Sequence, residues 1–106
     1  MAMTPEKKVK KLVTDYLKSA NLFWFYPVAS GYAANGIPDI ICCIRGKFVA
    51  IECKAGKNTT TAIQDKKIRE IQSAGGMAMV INEDNLDHMR MVIDELIGGT
   101  DGQTKN

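Results

Sequence analysis

Asp39, Glu52 and Lys54 are the residues of this chain whose types and spacing best suit chemistry. Two carboxylates brought together make a hard-oxygen site for a divalent cation such as Mg2+ or Mn2+, and the ion offsets their mutual repulsion. A lysine beside them places positive charge next to an attacking water or a scissile phosphate. Together they form a kit for phosphodiester hydrolysis, since a bound ion polarises the phosphoryl oxygen and eases ionisation of water near neutral pH. The kit works only if the backbone brings the three side chains to one place.

Two strands are expected to do so. Ile37 to Ile44 and Phe48 to Lys54 are apolar and β-branched, and they flank Arg45-Gly46-Lys47. Gly46 suits the first central position of a type II′ turn. That turn pairs Arg45 with Phe48, sets Asp39 opposite Lys54, and sets Ile41 opposite Glu52. Directly opposed residues share a face, as do residues two apart, so all three charges emerge together between strands about 4.8 Å apart. A slip of one residue moves Asp39 to the other side. The alternative is a structural Asp39–Lys54 cross-strand salt bridge on a solvated face, with Glu52 merely beside it.

The remaining elements follow from local signals. Thr4-Pro5-Glu6 opens a helix with an N-cap, a proline at the first position and an acid in the first turn. Val9, Leu12, Val13, Tyr16, Leu17 and Ala20 continue it as an apolar stripe. Leu22 to Val28 reads as an aromatic strand and Ala29 to Gly36 as a loop. Thr61 to Gln64 fits a capping box opening a second helix that stops at Gly75-Gly76. Met77 to Ile81 reads as a short strand, and Asp84 to Ile97 as a third helix with Leu86, Met89, Ile93 and Leu96 on one side. The order is α-β-β-β-α-β-α. It predicts an α/β fold: a small mixed β-sheet flanked by helices, in one domain over 1–97 with a flexible tail over 98–106.

Gly36-Ile37-Pro38-Asp39, followed after 13 residues by Ile51-Glu52-Cys53-Lys54, resembles the PD-(D/E)XK nuclease signature. Within that superfamily the chain is most similar to the VRR-NUC group, and behind it to the archaeal Holliday-junction resolvases. The resemblance implies a restriction-endonuclease-like fold and Mg2+/Mn2+-dependent cleavage of DNA, with four-way junctions as the preferred substrate. It implies Asp39 and Glu52 as metal ligands, the Cys53 backbone carbonyl as a third, and Lys54 as the residue that positions or activates water. It also implies a metal- or water-linked role for Glu6, otherwise a helix-dipole acid. Gln64 matches a glutamine that contacts the site in related nucleases, and it is also the third residue of the capping box; the two roles are compatible. Ser30 resembles the serine of a phosphate-contacting loop, or is a plain loop residue.

Charge and composition bound the partners. A net charge of +2 does not by itself announce nucleic acid. The lysines are clustered, however, near the N-terminus (Lys7, Lys8, Lys10, Lys11) and in a central stretch (Lys54, Lys57, Lys66, Lys67). Lys7, Lys57 and Lys67 are candidates for phosphate contact, although lysines on a helix are often only a solvated face. Three cysteines without zinc spacing are expected to be reduced, buried thiols. No apolar run approaches the roughly 20 residues needed to span a bilayer, so a cytoplasmic protein of a bacterial cell or phage-infected host is expected. Two coordinated cuts in a two-fold symmetric junction call for two sites, which favours a homodimer. The aromatics Phe23, Trp24, Phe25 and Tyr26 point the same way, because at least two must face away from the core. The competing functions are a nuclease for flaps, single strands or duplex, and a non-catalytic DNA-binding module on the same fold.

Overall fold

The computed structural model describes residues 3–28 and 35–99. Ser30 and the tail from residue 100 onward lie outside the described residues. The elements occur in the expected order: α1 (Pro5–Ser19), β1 (Phe23–Phe25), β2 (Ile40–Ile44), β3 (Lys47–Cys53), α2 (Ala62–Ser73), β4 (Met77–Ile81) and α3 (Leu86–Asp94). The four strands form one mixed sheet in chain order, with β1–β2 and β2–β3 antiparallel and β3–β4 parallel. A parallel pair needs a crossover, and α2 supplies it. Among the described residues no helix is long and apolar enough to cross a membrane.

The capping signals act where the sequence puts them. Thr4 accepts a hydrogen bond from the Lys7 amide at 3.2 Å, and Pro5 takes the first turn of α1. Thr61 and Gln64 form the reciprocal capping box of α2. Three elements are shorter than expected: β2 begins only at Ile40, after the bend at Asp39, and β1 and α3 are cut short as well. Pairing of β1 ends at Phe25 opposite Ile41, and Pro27, which has no N–H, cannot extend the ladder. The third helix gives way after Asp94 to a π-helical turn over Glu95–Gly99.

Alternation sorts each strand between two unlike faces. Ile40, Cys42, Ile44, Val49, Ile51, Cys53 and Ile81 point to one side, where Val9, Val13 and Leu17 of α1 and Leu86, Met89 and Ile93 of α3 complete a buried core. Each such fully buried side chain is worth about 1.5–3 kcal/mol relative to exposure. The other side is only partly roofed. There α2 approaches so closely that a Cβ on Gly76 would lie 2.8 Å from Ile71 Cγ2 and 3.2 Å from Phe48 Cδ1. Beyond its reach Phe23 and Phe25 are 68% and 45% exposed, with rings 6.1 Å apart. Cys43 is exposed on this side as well. The expectation of three buried thiols therefore holds for Cys42 and Cys53 and fails for Cys43, which faces the uncovered side of the sheet.

The hairpin that carries the charged residues differs from expectation in register. Its turn residues are Arg45 and Gly46, with φ of 50° and 84°, and Ile44 pairs with Lys47. Two consecutive positive φ values define a type I′ turn, not the type II′ turn expected from Gly46 and Lys47. The register, with Ile40 opposite Ile51, places Asp39 across from Glu52 instead of Lys54. The displacement is two residues, an even number, so every side chain stays on its expected face.

Candidate active site

The charged residues gather at the end of the sheet where β2 begins and β3 stops. Asp39 occupies a bend just before β2. Its Oδ2 accepts the Cys53 amide at 2.8 Å, which fixes the carboxylate against the end of β3. The ladder ends at Ile40 opposite Ile51, and continuing its count past the bend would set Cys53 opposite Pro38. Proline has no N–H to donate, so the ladder bond that would otherwise occupy the Cys53 carbonyl is missing. That carbonyl is left turned toward Asp39, because the N–H and C=O of one strand residue point to the same neighbour.

Glu52 is the most unusual group. Its side chain is 4% exposed, yet it carries a carboxylate. Oε2 is held by Lys54 Nζ at 3.4 Å and by Gln64 Nε2 at 3.0 Å. Oε1 is buried without a hydrogen-bond partner among the described residues. Burial first and the Asp39 carboxylate second raise the Glu52 carboxyl from 4.5 to about 7 against the opposing Lys54, with a smaller push from Glu6. Removing a carboxylate from water without full compensation is costly. A buried acid with one free oxygen beside a second carboxylate is what a divalent cation would relieve.

The donor set fits such an ion within limits. Among the described residues no three His, Cys, Asp or Glu side chains cluster closely enough to hold a metal together. Glu6 is thus sensed electrostatically at Glu52 without joining Asp39 and Glu52 in a three-side-chain cage. Mg2+ does not require one, since it commonly takes one or two carboxylates and keeps several waters. The Cys53 thiol is no substitute ligand: burial first, then Asp39 and Glu52, push its pKa up to about 12.

Two helix starts and one glycine hold the group in place. Gln64 serves two partners at once, its Oε1 accepting the Thr61 amide at 2.9 Å while its Nε2 donates to Glu52. Gln64 thus completes the capping box and also touches Glu52. Gly36, with φ of 79°, lies so close to α2 that a Cβ there would sit 2.5 Å from Ile63 Cγ2 and 2.7 Å from its carbonyl oxygen. The chain entering Asp39 is thereby pressed onto the first turn of α2. From the other side Lys10 of α1 reaches to 3.7 Å from Asp39 Oδ1. Lys10 was not singled out by sequence, although its place four residues after Glu6 puts both on one helix face.

The outer lysines are separate from this group. Lys7 is exposed on α1 and Lys57 is exposed in the loop after β3, which is anchored by the Gly56 amide donating to Glu83 at 2.9 Å. Lys67 is paired with Glu70 at 3.4 Å. None of the three makes a hydrogen bond or ion pair to Asp39 or Glu52.

The family model described as archaeal Holliday junction resolvase (Hjc) matches residues 26–80, just over half of the chain. The matched span holds Asp39, Glu52, Lys54 and Gln64 and excludes α1 and α3. No curated protein matches the chain. The matched family makes the protein a resolvase-like nuclease, a hydrolase that binds DNA, and accords with the mixed sheet between helices. The chain belongs to the archaeal Holliday junction resolvase (Hjc) family, a PD-(D/E)XK-type family of nucleases.

Proposed function

We propose that the protein is a Mg2+- or Mn2+-dependent endonuclease that cleaves branched DNA, with four-way junctions as the preferred substrate. The observation that carries the metal dependence is Glu52 Oε1, a buried carboxylate oxygen without a partner, across the hairpin from Asp39. Asp39, Glu52 and the Cys53 carbonyl would hold the ion, which when bound supplies Lewis-acid polarisation of the scissile phosphate. Gln64 ties down Glu52 Oε2 and so leaves Oε1 for that purpose. Lys54, whose side chain is 12% exposed, keeps its charge at the edge of the group, where it orients the attacking water and meets the phosphate. Glu6 approaches from α1 and helps orient that water. A non-catalytic DNA-binding module has no use for a carboxylate buried at this cost. The finer likeness to the VRR-NUC group rests on the segments around Asp39 and Glu52.

The working form is proposed to be a homodimer, because a junction presents two symmetric cuts. Exposed Phe23 and Phe25 on the half-roofed side of the sheet support that reading, since clustered apolar side chains of this size mark interfaces. Cleavage of a four-way junction should exceed that of matched duplex, flap and single strand by at least tenfold, and should vanish with chelator. Equal cleavage of all four sinks junction selectivity; unchanged cleavage in chelator sinks metal dependence. Light scattering should give twice the 11.7 kDa chain mass, and one chain mass rejects the dimer.

A further inference from the structure

A second feature leads away from the active site. Between α1 and the end of β1 lies a cleft of about 590 Å³ that begins at Asp39 and runs along the helix. Lys7, Lys10, Lys11 and Lys18 line it, together with Tyr26 and the acids Asp15 and Asp39. Four cations against two anions leave it electropositive. Lys11 is bound to Asp15 at 2.7 Å and Lys10 lies 3.7 Å from Asp39. Lys7 and Lys18 make no ion pair among the described residues, so both ends of the cleft keep an uncompensated positive charge. From Lys7 to Lys18 a helix rises about 16 Å, long enough to meet several successive phosphates of one strand.

Aromatic rings are interleaved with these cations. Lys18 Nζ lies 5.8 Å from the centre of Trp24, and Lys10 Nζ lies 5.9 Å from the centre of Tyr26. The two rings meet edge to face at 5.2 Å, with Trp24 partly buried behind and Tyr26 49% exposed in front. Phosphate contacts alone need no aromatic ring. In a duplex the base faces are stacked on each other and unavailable, whereas an unpaired base offers a face to any ring it meets.

We propose that this cleft is a binding track for unpaired nucleotides of the DNA substrate, with Tyr26 as the platform on which one base stacks and the α1 lysines as the rail for its phosphates. The track starts at Asp39, so the stacked nucleotide lies next to the cleavage position. This proposal deepens the nuclease reading and rests on it for the identity of the ligand. Among four-way junctions, it makes the enzyme favour one that carries an unpaired nucleotide at the branch over the fully paired form.

The test is binding in chelator, which separates it from cleavage. The probes are a duplex with a six-nucleotide unpaired arm bearing 2-aminopurine, and the same duplex without the arm. Stacking should quench 2-aminopurine on binding, and Tyr26→Ala should abolish the quench and weaken armed-duplex binding about tenfold, while Tyr26→Phe restores both. Lys18→Ala should weaken the armed probe more than the plain one. Equal losses of Tyr26→Ala on both probes, or a wild-type complex without quenching, overturns the proposal. So does competition by polyglutamate of equal charge as effective as by the unlabelled armed probe. If Tyr26→Ala fails to fold, the wild-type quench and the Lys18 variant decide alone. Quenching by a protein that cleaves none of the substrates would leave this track standing and remove the nuclease reading instead.

Discussion

The two faces of the sheet are built from the same strands and to opposite ends. On the side of α1 and α3, β3 contributes Val49, Ile51 and Cys53, all fully buried. On the side of α2 the same strand contributes Phe48, half exposed, then Ala50, Glu52 and, just past its end, Lys54. The first face is closed by two helices and carries the packing energy. The second is covered by one helix and carries charge, an orphaned oxygen and exposed phenylalanines. Packing on one side is what holds the backbone firmly enough to keep a buried carboxylate on the other. Period-two alternation makes this division automatic, since one strand cannot serve the core without presenting its other residues elsewhere.

Changing one residue on each face should have opposite consequences. Lys54→Ala and Asp39→Asn should lower cleavage by at least about a thousandfold, equivalent to about 4 kcal/mol in the barrier. Their urea midpoints should stay near wild type when measured well below pH 7, where the Glu52 carboxyl is protonated and needs no counter-charge. Ile51→Ala, the neighbour of Glu52 on the opposite face, should instead cost about 2–5 kcal/mol of folding stability. Activity retained in either site variant, or an Ile51 variant as stable as wild type, would show that the faces are not divided as described.

A pH series sharpens it further. The Glu52 carboxyl ionises near 7 in the fold against 4.5 ordinarily. Below 4.5 it is protonated in folded and unfolded chains alike. Between 4.5 and 7 the unfolded chain loses the proton first, so this group's contribution to stability falls as pH rises through that window. In chelator the stability of wild type relative to Glu52→Gln should therefore decline from pH 4.5 to 7 and then level off. Parallel curves for the two proteins would place Glu52 in an ordinary solvated setting. The smallest effect concerns α1, where Glu6→Gln should slow cleavage by more than about threefold with no change in helix content, because the two residues have similar helix propensity. A smaller loss returns Glu6 to a helix-dipole role.

Much of this was legible in the sequence for a definite reason. Asp39, Glu52 and Lys54 share a face in any register displaced by an even number of residues, so their grouping survived a wrong turn assignment. The turn itself was not legible, because Arg45 in the left-handed region is not what a type I′ turn ordinarily selects. Capping boxes are local and were readable; that the amide of Gln64 also reaches Glu52 depends on how α2 lies over β3. The same holds for the exposure of Cys43, set by where α2 ends its cover, and for Lys10, whose approach to Asp39 exists only once α1 is docked. The role of Pro38 could have been inferred, since a proline opposite Cys53 leaves a carbonyl without its donor.

Gly36 has a consequence for how the protein can move. Its backbone, three residues before Asp39, sits with no room for another atom against Ile63, which immediately precedes the Gln64 that grips Glu52. The opposing jaws of the site, Asp39 on one and Gln64 on the other, therefore share a single hinge pin. A side chain at position 36 would wedge the two jaws apart, because it has to displace either the start of α2 or the chain that leads into Asp39.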